Sequence, residues 1–120
     1  MSLMAEMVEK VIDIGNDFSP FPGGRIRLDG PKSGEEFRED FLVPALRESE
    51  KVSIIIDSAF GYGSSFLEEC FGGLIRYAGY SFAELKSRLA LIQTNPGYEY
   101  YVKDIWTYIE DADRERRKTA

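Results

Sequence analysis

The sequence predicts an α/β fold: a sandwich around a mixed sheet of about four strands, in the order β-β-α-β-α-(α)-β-α. Three observations predict it. Val52, Ile54, Ile55 and Ile56 form a β-branched run, followed by a Gly-rich loop and then an amphipathic helical stripe. Two short segments with alternating polarity, 8–14 and 25–29, precede that run. Another short apolar run, 89–93, and a long stripe from Tyr98 onward follow it.

Taken in order, Val8 to Ile14 (VEKVIDI) puts Val8, Lys10, Ile12 and Ile14 on one side, which predicts a first strand ended by Gly15-Asn16-Asp17. Phe18 to Gly24 (FSPFPGG) reads as a turn with Pro22 at its second position and Gly23 at its third. Arg25 to Asp29 (RIRLD) alternates, so a second strand antiparallel to the first is expected, with Ile26 and Leu28 inward. Ser33 and Glu36 have capping-box spacing for a helix from Gly34 to about Ser49, with Phe37, Phe41, Leu42, Ala45 and Leu46 on its core face. Pro44 leaves the Asp40 carbonyl without a donor, which predicts either a kink or a new helix starting there.

The β-branched run is expected to be a strand buried on both faces and ending at Asp57, with Ser58 to Gly63 (SAFGYG) as a turn. Ser64 or Ser65 then suits a helix cap. At 100° per residue Phe66, Leu67, Cys70, Phe71, Leu74 and Ile75 share the core face, while Glu68, Glu69, Gly72 and Arg76 lie opposite, with Gly73 at the boundary. Ser81 and Glu84 form a second capping box, for a short helix SFAELKSR. Leu89 to Gln93 is a further strand, stopped by Asn95-Pro96-Gly97. Tyr101, Val102, Ile105, Trp106, Ile109 and Ala112 form the stripe of a closing helix, and its tail from Asp113 to Lys118 is expected to be solvated.

At 120 residues the chain is read as one domain, with residues 1–7 and 114–120 as frayed ends. A net charge of −6 weighs against direct nucleic-acid binding, which needs surplus Lys and Arg to neutralise phosphates, and favours a soluble protein or a protein partner. No apolar run approaches the ~20 residues of a membrane span, and the opening MSLMAEM lacks signal-peptide character, so a cytoplasmic location is the default expectation. The chain has no histidine, which excludes Ser-His-Asp and Cys-His chemistry and removes the commonest zinc ligand. Its one cysteine, Cys70, falls on the core face and reads as a packed thiol. No cofactor or metal is expected, and oligomeric state is left open.

Several motifs carry two readings. Ser64 and Ser65 are helix caps or a switch at a cap position, where a phosphate would meet free N–H groups but also Glu68 and Glu69. Gly72 and Gly73 end the helix, admit a neighbouring loop, or let a partner's backbone approach. Gly23, Gly24 and Arg25 form a turn or an anion contact through backbone N–H groups and the guanidinium. Asp57, Glu68 and Glu69 are solvated acids or a carboxylate cluster. Gly61-Tyr62-Gly63 lacks the third glycine of a dinucleotide fingerprint, because Phe66 stands there.

The strings FSPFPGGR at 18–25, SGEEFR at 33–38 and GYGSSFLEECFGGL at 61–74 resemble the bacterial STAS-like domains of unassigned function, over about 10–109. Those domains are related in fold to sulphate-transporter and anti-sigma-factor-antagonist modules. In the antagonists, a serine at the start of the helix after a strand is phosphorylated by a GHKL-type ATPase kinase. Ser64 and Ser65 stand at the matching place, although Gly63 replaces the acidic residue before them and Phe66 the glycine after.

The resemblance implies a non-enzymatic regulatory domain that docks a GHKL-type ATPase or a transcription regulator through 58–76. The docking residues would be Tyr62, Gly63, Glu68, Glu69, Gly72, Gly73 and Arg76, with Ser64 or Ser65 as the switch. The rival expectation is a small-molecule or anion sensor, or a small enzyme, with a pocket at the carboxyl ends of the strands using Arg25, Asp57 and Ser64.

Overall fold

Three strands pair in parallel in the order β1-β2-β3, with β1 Glu9–Asp13, β2 Lys51–Ile55 and β3 Leu89–Ile92, in a computed structural model that describes residues 9–119. The register sets Ile12 beside Ile54 and Ile54 beside Leu91, so one apolar row crosses the sheet. Helix α1 spans 34–48 and α2 spans 64–76; each has a π-helical stretch inside it, Arg38–Leu42 and Glu68–Gly72. Helix α3 is Phe82–Arg88 and α4 is Glu99–Thr119. The expected frayed segment 1–7 and the final residue, 120, lie outside the described residues.

Both crossovers run the same way along the sheet, and right-handed connections then set α1 and α2 on one face. There they pack side by side, with α4 against α2. Phe37, Leu42 and Leu46 from α1, Phe66, Phe71 and Leu74 from α2, and Ile105 and Ile109 from α4 are fully buried over Ile12, Ile54 and Ile56. The opposite face is partly open: Val11 is 53% exposed and Ile92 40%. The central strand is nonetheless buried on that side at Ser53, so the openness lies on the flanking strands.

The sheet has three strands among the described residues and is wholly parallel, because Arg25–Asp29 is not a strand. The Asp29 carboxylate accepts the backbone N–H groups of Arg25 at 2.9 Å and Ile26 at 3.0 Å, and the Glu35 carboxylate accepts that of Arg27 at 2.8 Å. Side chains thus take the donors a ladder would need, and the segment closes into a 3₁₀ turn, Arg27–Asp29. Ile26 and Leu28, expected inside, are 38% and 91% exposed. Residues 19–32 form a strap laid over the start of α1, where Gly24 and Arg25 accept from the N–H groups of Gly34 and Glu35.

Pro44 lies in the first turn of the α-helical stretch Val43–Glu48, which continues directly from the π-helical one. The π-helical stretch ends just before it, with the Val43 N–H bonded to the Arg38 carbonyl, so the helix widens where Pro44 withholds a donor. The second capping box forms as expected: Ser81 Oγ accepts from Glu84 N–H and Glu84 accepts from Ser81 N–H. At the first, Ser33 Oγ accepts from Glu36 N–H while the Glu36 carboxylate accepts from Lys32 N–H.

The charged tail is not simply solvated. Asp113 is buried, accepts the Phe82 N–H at 3.0 Å at the start of α3, and pairs with Arg116, which itself donates to the Tyr80 carbonyl. Among the described residues no helix is long and apolar enough to cross a membrane. Asp113→Ala is expected to lower unfolding stability by about 1–3 kcal/mol, the cost of stranding a buried donor. The check is urea denaturation, in which the slope stays unchanged because the core is intact.

Candidate functional site

The corner between β2 and α2 is tied to three neighbours. Asp57, at the carboxyl end of β2, accepts the backbone N–H groups of Thr94 at 2.6 Å and Asn95 at 2.8 Å, and the Thr94 hydroxyl at 3.1 Å. These bonds, the Asn95 N–H first, hold its carboxyl below the ordinary value of 3.8. Ser58 Oγ accepts the Gly15 N–H at 2.8 Å, and a Cβ on Gly15 would overlap the Ser58 carbonyl, so glycine is required where β1 turns past the loop. Tyr98 Oη donates to the Ala59 carbonyl at 2.6 Å, Phe60 N–H to Pro20 at 2.8 Å, and Tyr62 Oη to Ile56 at 2.5 Å. Tyr62 packs against Phe66 and Tyr101, and burial pushes its phenol well above the usual range.

On this anchored corner two phenylalanines face outward. Phe21 of the strap and Phe60 of the loop are 71% and 74% exposed, and their rings stack at 4.9 Å with 10° between planes. Each ring covers one face of the other and leaves its second face open. Ser64 and Ser65 follow at the first turn of α2, both exposed. Gly63 occupies the cap position and no side chain caps the helix, so neither serine is the cap that the sequence predicts. Their hydroxyls and the first N–H groups of α2 are left without intrahelical partners.

The face of α2 read as exposed is largely buried. Glu69 is 5% exposed and Gly72 and Gly73 are both buried. The side chain over Gly73 is Arg38 from α1, itself 3% exposed; its Nη1 donates to Glu69 Oε2 at 2.9 Å and to the Glu69 carbonyl at 2.6 Å. A Cβ on Gly73 would overlap that guanidinium. Gly72 lies under the ion pair of Glu68 and Arg76, which closes at 2.6 Å. Gly73 therefore admits the buried Arg38 and Gly72 is covered by the Glu68–Arg76 pair, so neither is open to a partner's backbone.

Arg25 of the strap also reaches this cluster, 2.7 Å from Glu68 and 3.4 Å from Glu69. For Glu68, burial raises the carboxyl pKa, but Arg76 and Arg25 outweigh it and hold the group below its ordinary value. Gly23 N–H is spent on the Lys32 carbonyl and Arg25 N–H on Asp29, so the turn holds its own donors. Asp57 is bonded to Thr94 and Asn95 while Glu68 and Glu69 are bonded to arginines, so the three acids do not form one cluster. Cys70 is fully buried, which raises its thiol pKa.

Sequence reasoning missed the Phe21–Phe60 stack and the burial of Arg38. Each phenylalanine stands in a Pro- or Gly-flanked loop, FSPFPGG and SAFGYG, where a large apolar residue has no periodic face to join.

The family model for the STAS-like domain of unknown function (DUF4325) matches residues 33–99, more than half of the chain. Searches of the curated proteins and of the solved structures found no match.

Gly73→Ala is expected to cost about 1–3 kcal/mol through overpacking against a buried guanidinium. Gly72→Ala should cost less, because its Cβ meets only side-chain ends, at 2.7 Å from Glu68 and 3.0 Å from Arg76. Parallel thermal unfolding of the two variants makes the comparison. For Asp57 the folded pKa is depressed, so its contribution is complete above the ordinary carboxylate value and is lost as pH falls through the lower folded value. Asp57→Asn should therefore destabilise the protein at neutral pH and flatten its acid limb, as read from stability measured between pH 7 and pH 2.

Proposed function

The chain belongs to the family of STAS-like domains of unknown function, and we propose that it is a non-enzymatic regulatory domain that docks a protein partner through the β2–α2 corner. The partner is a GHKL-type ATPase kinase or a transcription regulator, and Ser64 or Ser65 is the phosphorylation point. The observation that carries this reading is the exposed stack of Phe21 and Phe60 on a loop fixed by Asp57, Ser58 and Ala59, immediately before two exposed, uncapped serines. An aromatic pair left in water on a rigid frame has the character of an interface anchor, since little ordering is needed when a partner covers it.

The docking surface proposed here differs from the sequence expectation. Tyr62 is half-buried with its hydroxyl bonded to Ile56, Gly72 and Gly73 are covered, and Glu69 faces Arg38, so in this reading Phe21, Phe60, Gly63, Ser64 and Ser65 supply the contact. A phosphate on either serine would add about two negative charges at the amino end of α2, close to its free N–H groups and one turn before Glu68. Docking would then change locally while the corner stays in place. The rival pocket using Arg25, Asp57 and Ser64 lacks support, because Arg25 is engaged with Glu68 and Asp57 with Thr94 and Asn95.

The test uses the candidate kinase with ATP, followed by phosphopeptide mapping of 58–66 and binding measurements on variants. Phe60→Ala is expected to weaken binding by roughly 2 kcal/mol, about thirtyfold, with unchanged thermal stability. Ser64→Asp or Ser65→Asp should alter affinity in the same assay. Unchanged binding for all three, with no phosphate on the peptide, would refute the proposal.

A further inference from the structure

A groove of about 600 Å³ lies along the free edge of β1, between that strand and α1. Among the described residues no strand pairs with this edge, because β2 takes the other side. The Asp13 N–H points away from β2, onto Asp17 Oδ2 at 2.8 Å. Hydrogen-bonding groups alternate from side to side along a strand, so Val11, two residues earlier, turns its N–H and C=O outward as well. Its side chain is 53% exposed. Unpaired groups on a strand edge are a template for one more strand.

The floor of the groove is apolar and its ends are acidic. Ile12 and Ala45 are buried beneath it, while Phe41 and Pro44 are half-buried on the α1 side. A helix that joins two parallel strands runs back against them, which puts Asp40 with Asp17 at the carboxyl end of β1 and Glu48 at the amino end. All three acids are exposed. Lys10 is the one basic residue of the lining, so three carboxylates stand against one ammonium. Arg27, just outside, does not reverse that surplus, because it is divided between Asp40 at 3.0 Å and Glu39 at 3.1 Å.

The spacing of the acids selects the occupant. Asp40 and Glu48 are eight residues apart on α1, about 12 Å of helix rise. Four residues of strand cover about 13 Å, and side chains on one face recur at every second residue. The first, third and fifth residues of an added strand would therefore meet acid, apolar floor and acid. We propose that the free edge of β1 takes up an extended segment of a partner protein as a fourth strand, with the pattern basic-x-apolar-x-basic. A second copy of this chain would bring the same acids to the same edge, and residues 1–8 hold Glu6 and no Lys or Arg, so neither has the charge that the groove needs. This partner is other than the one docked at the β2–α2 corner; the proposal uses none of the corner's residues and does not rest on the docking reading.

The test is an NMR titration of the whole chain, at low ionic strength, with the end-blocked peptide Ser-Lys-Thr-Val-Thr-Lys-Ser, with hydrogen exchange followed at the Val11 amide. The expected result is saturable shifts along β1 and at Phe41 and Ala45, with slower exchange of the Val11 N–H in the complex. A peptide with Glu in place of both Lys should bind about tenfold more weakly. Glu48→Lys, an exposed change in the last turn of α1 whose folding circular dichroism verifies, should weaken the original peptide severalfold and favour one in which a single Lys is replaced by Glu. Absence of saturable binding, equal binding of the Lys and Glu peptides, binding without slower exchange at Val11, indifference to Glu48→Lys, or a dimer of the free chain that already protects Val11 would overturn the proposal.

Discussion

The exit of β2 is the constraint from which the rest of the molecule follows. At Asp57 one carboxylate accepts two backbone N–H groups from the exit of β3, so the carboxyl ends of the two strands are joined outside the ladder. Ser58 takes the Gly15 N–H from the turn after β1, which draws the third strand's exit into the same junction. Tyr98, just before α4, then reaches back to Ala59. A loop with this many long-range bonds has few open conformations, and α2 leaves it in a set direction. The exposed stack and the paired serines inherit their placement from that junction.

A second constraint lies between the helices. Arg38 and Glu69 form a buried pair across α1 and α2, and Gly73 gives the guanidinium its room. Such a pair contributes little net stability against a well-packed apolar substitute, but losing one partner costs about 3–5 kcal/mol because a buried charge is left alone. Its structural effect here is to fix how α1 lies on α2. Arg25 extends the same ion network to the strap, bringing Phe21's segment down onto the domain beside Phe60.

Much of this was legible in the sequence. The β-branched run, the stripes of α1, α2 and α4, the Ser81–Glu84 box and the buried Cys70 all follow from periodicity and cap chemistry, which are local. The 25–29 strand was illegible because alternation there competes with Asp29 and Glu35, whose carboxylates take the backbone donors; that outcome depends on residues outside the alternating pattern. The glycine face of α2 was misread for a related reason. A helical wheel shows which residues share a side, but it does not show that a long arginine from another helix fills the space beside Gly73. Three parallel strands with same-handed crossovers leave one sheet face partly open, and that follows from strand order, which hydrophobic pattern does not encode.

The central claim is that the β2–α2 corner is the contact surface of this domain. Hydrogen–deuterium exchange on the purified complex with its native partner addresses it most directly. The account predicts added protection at residues 59–66, together with the strap around Phe21, and little change along β1 and β3. Protection confined to the open sheet face around Val11 and Ile92, with the corner exchanging as in the free protein, would contradict it.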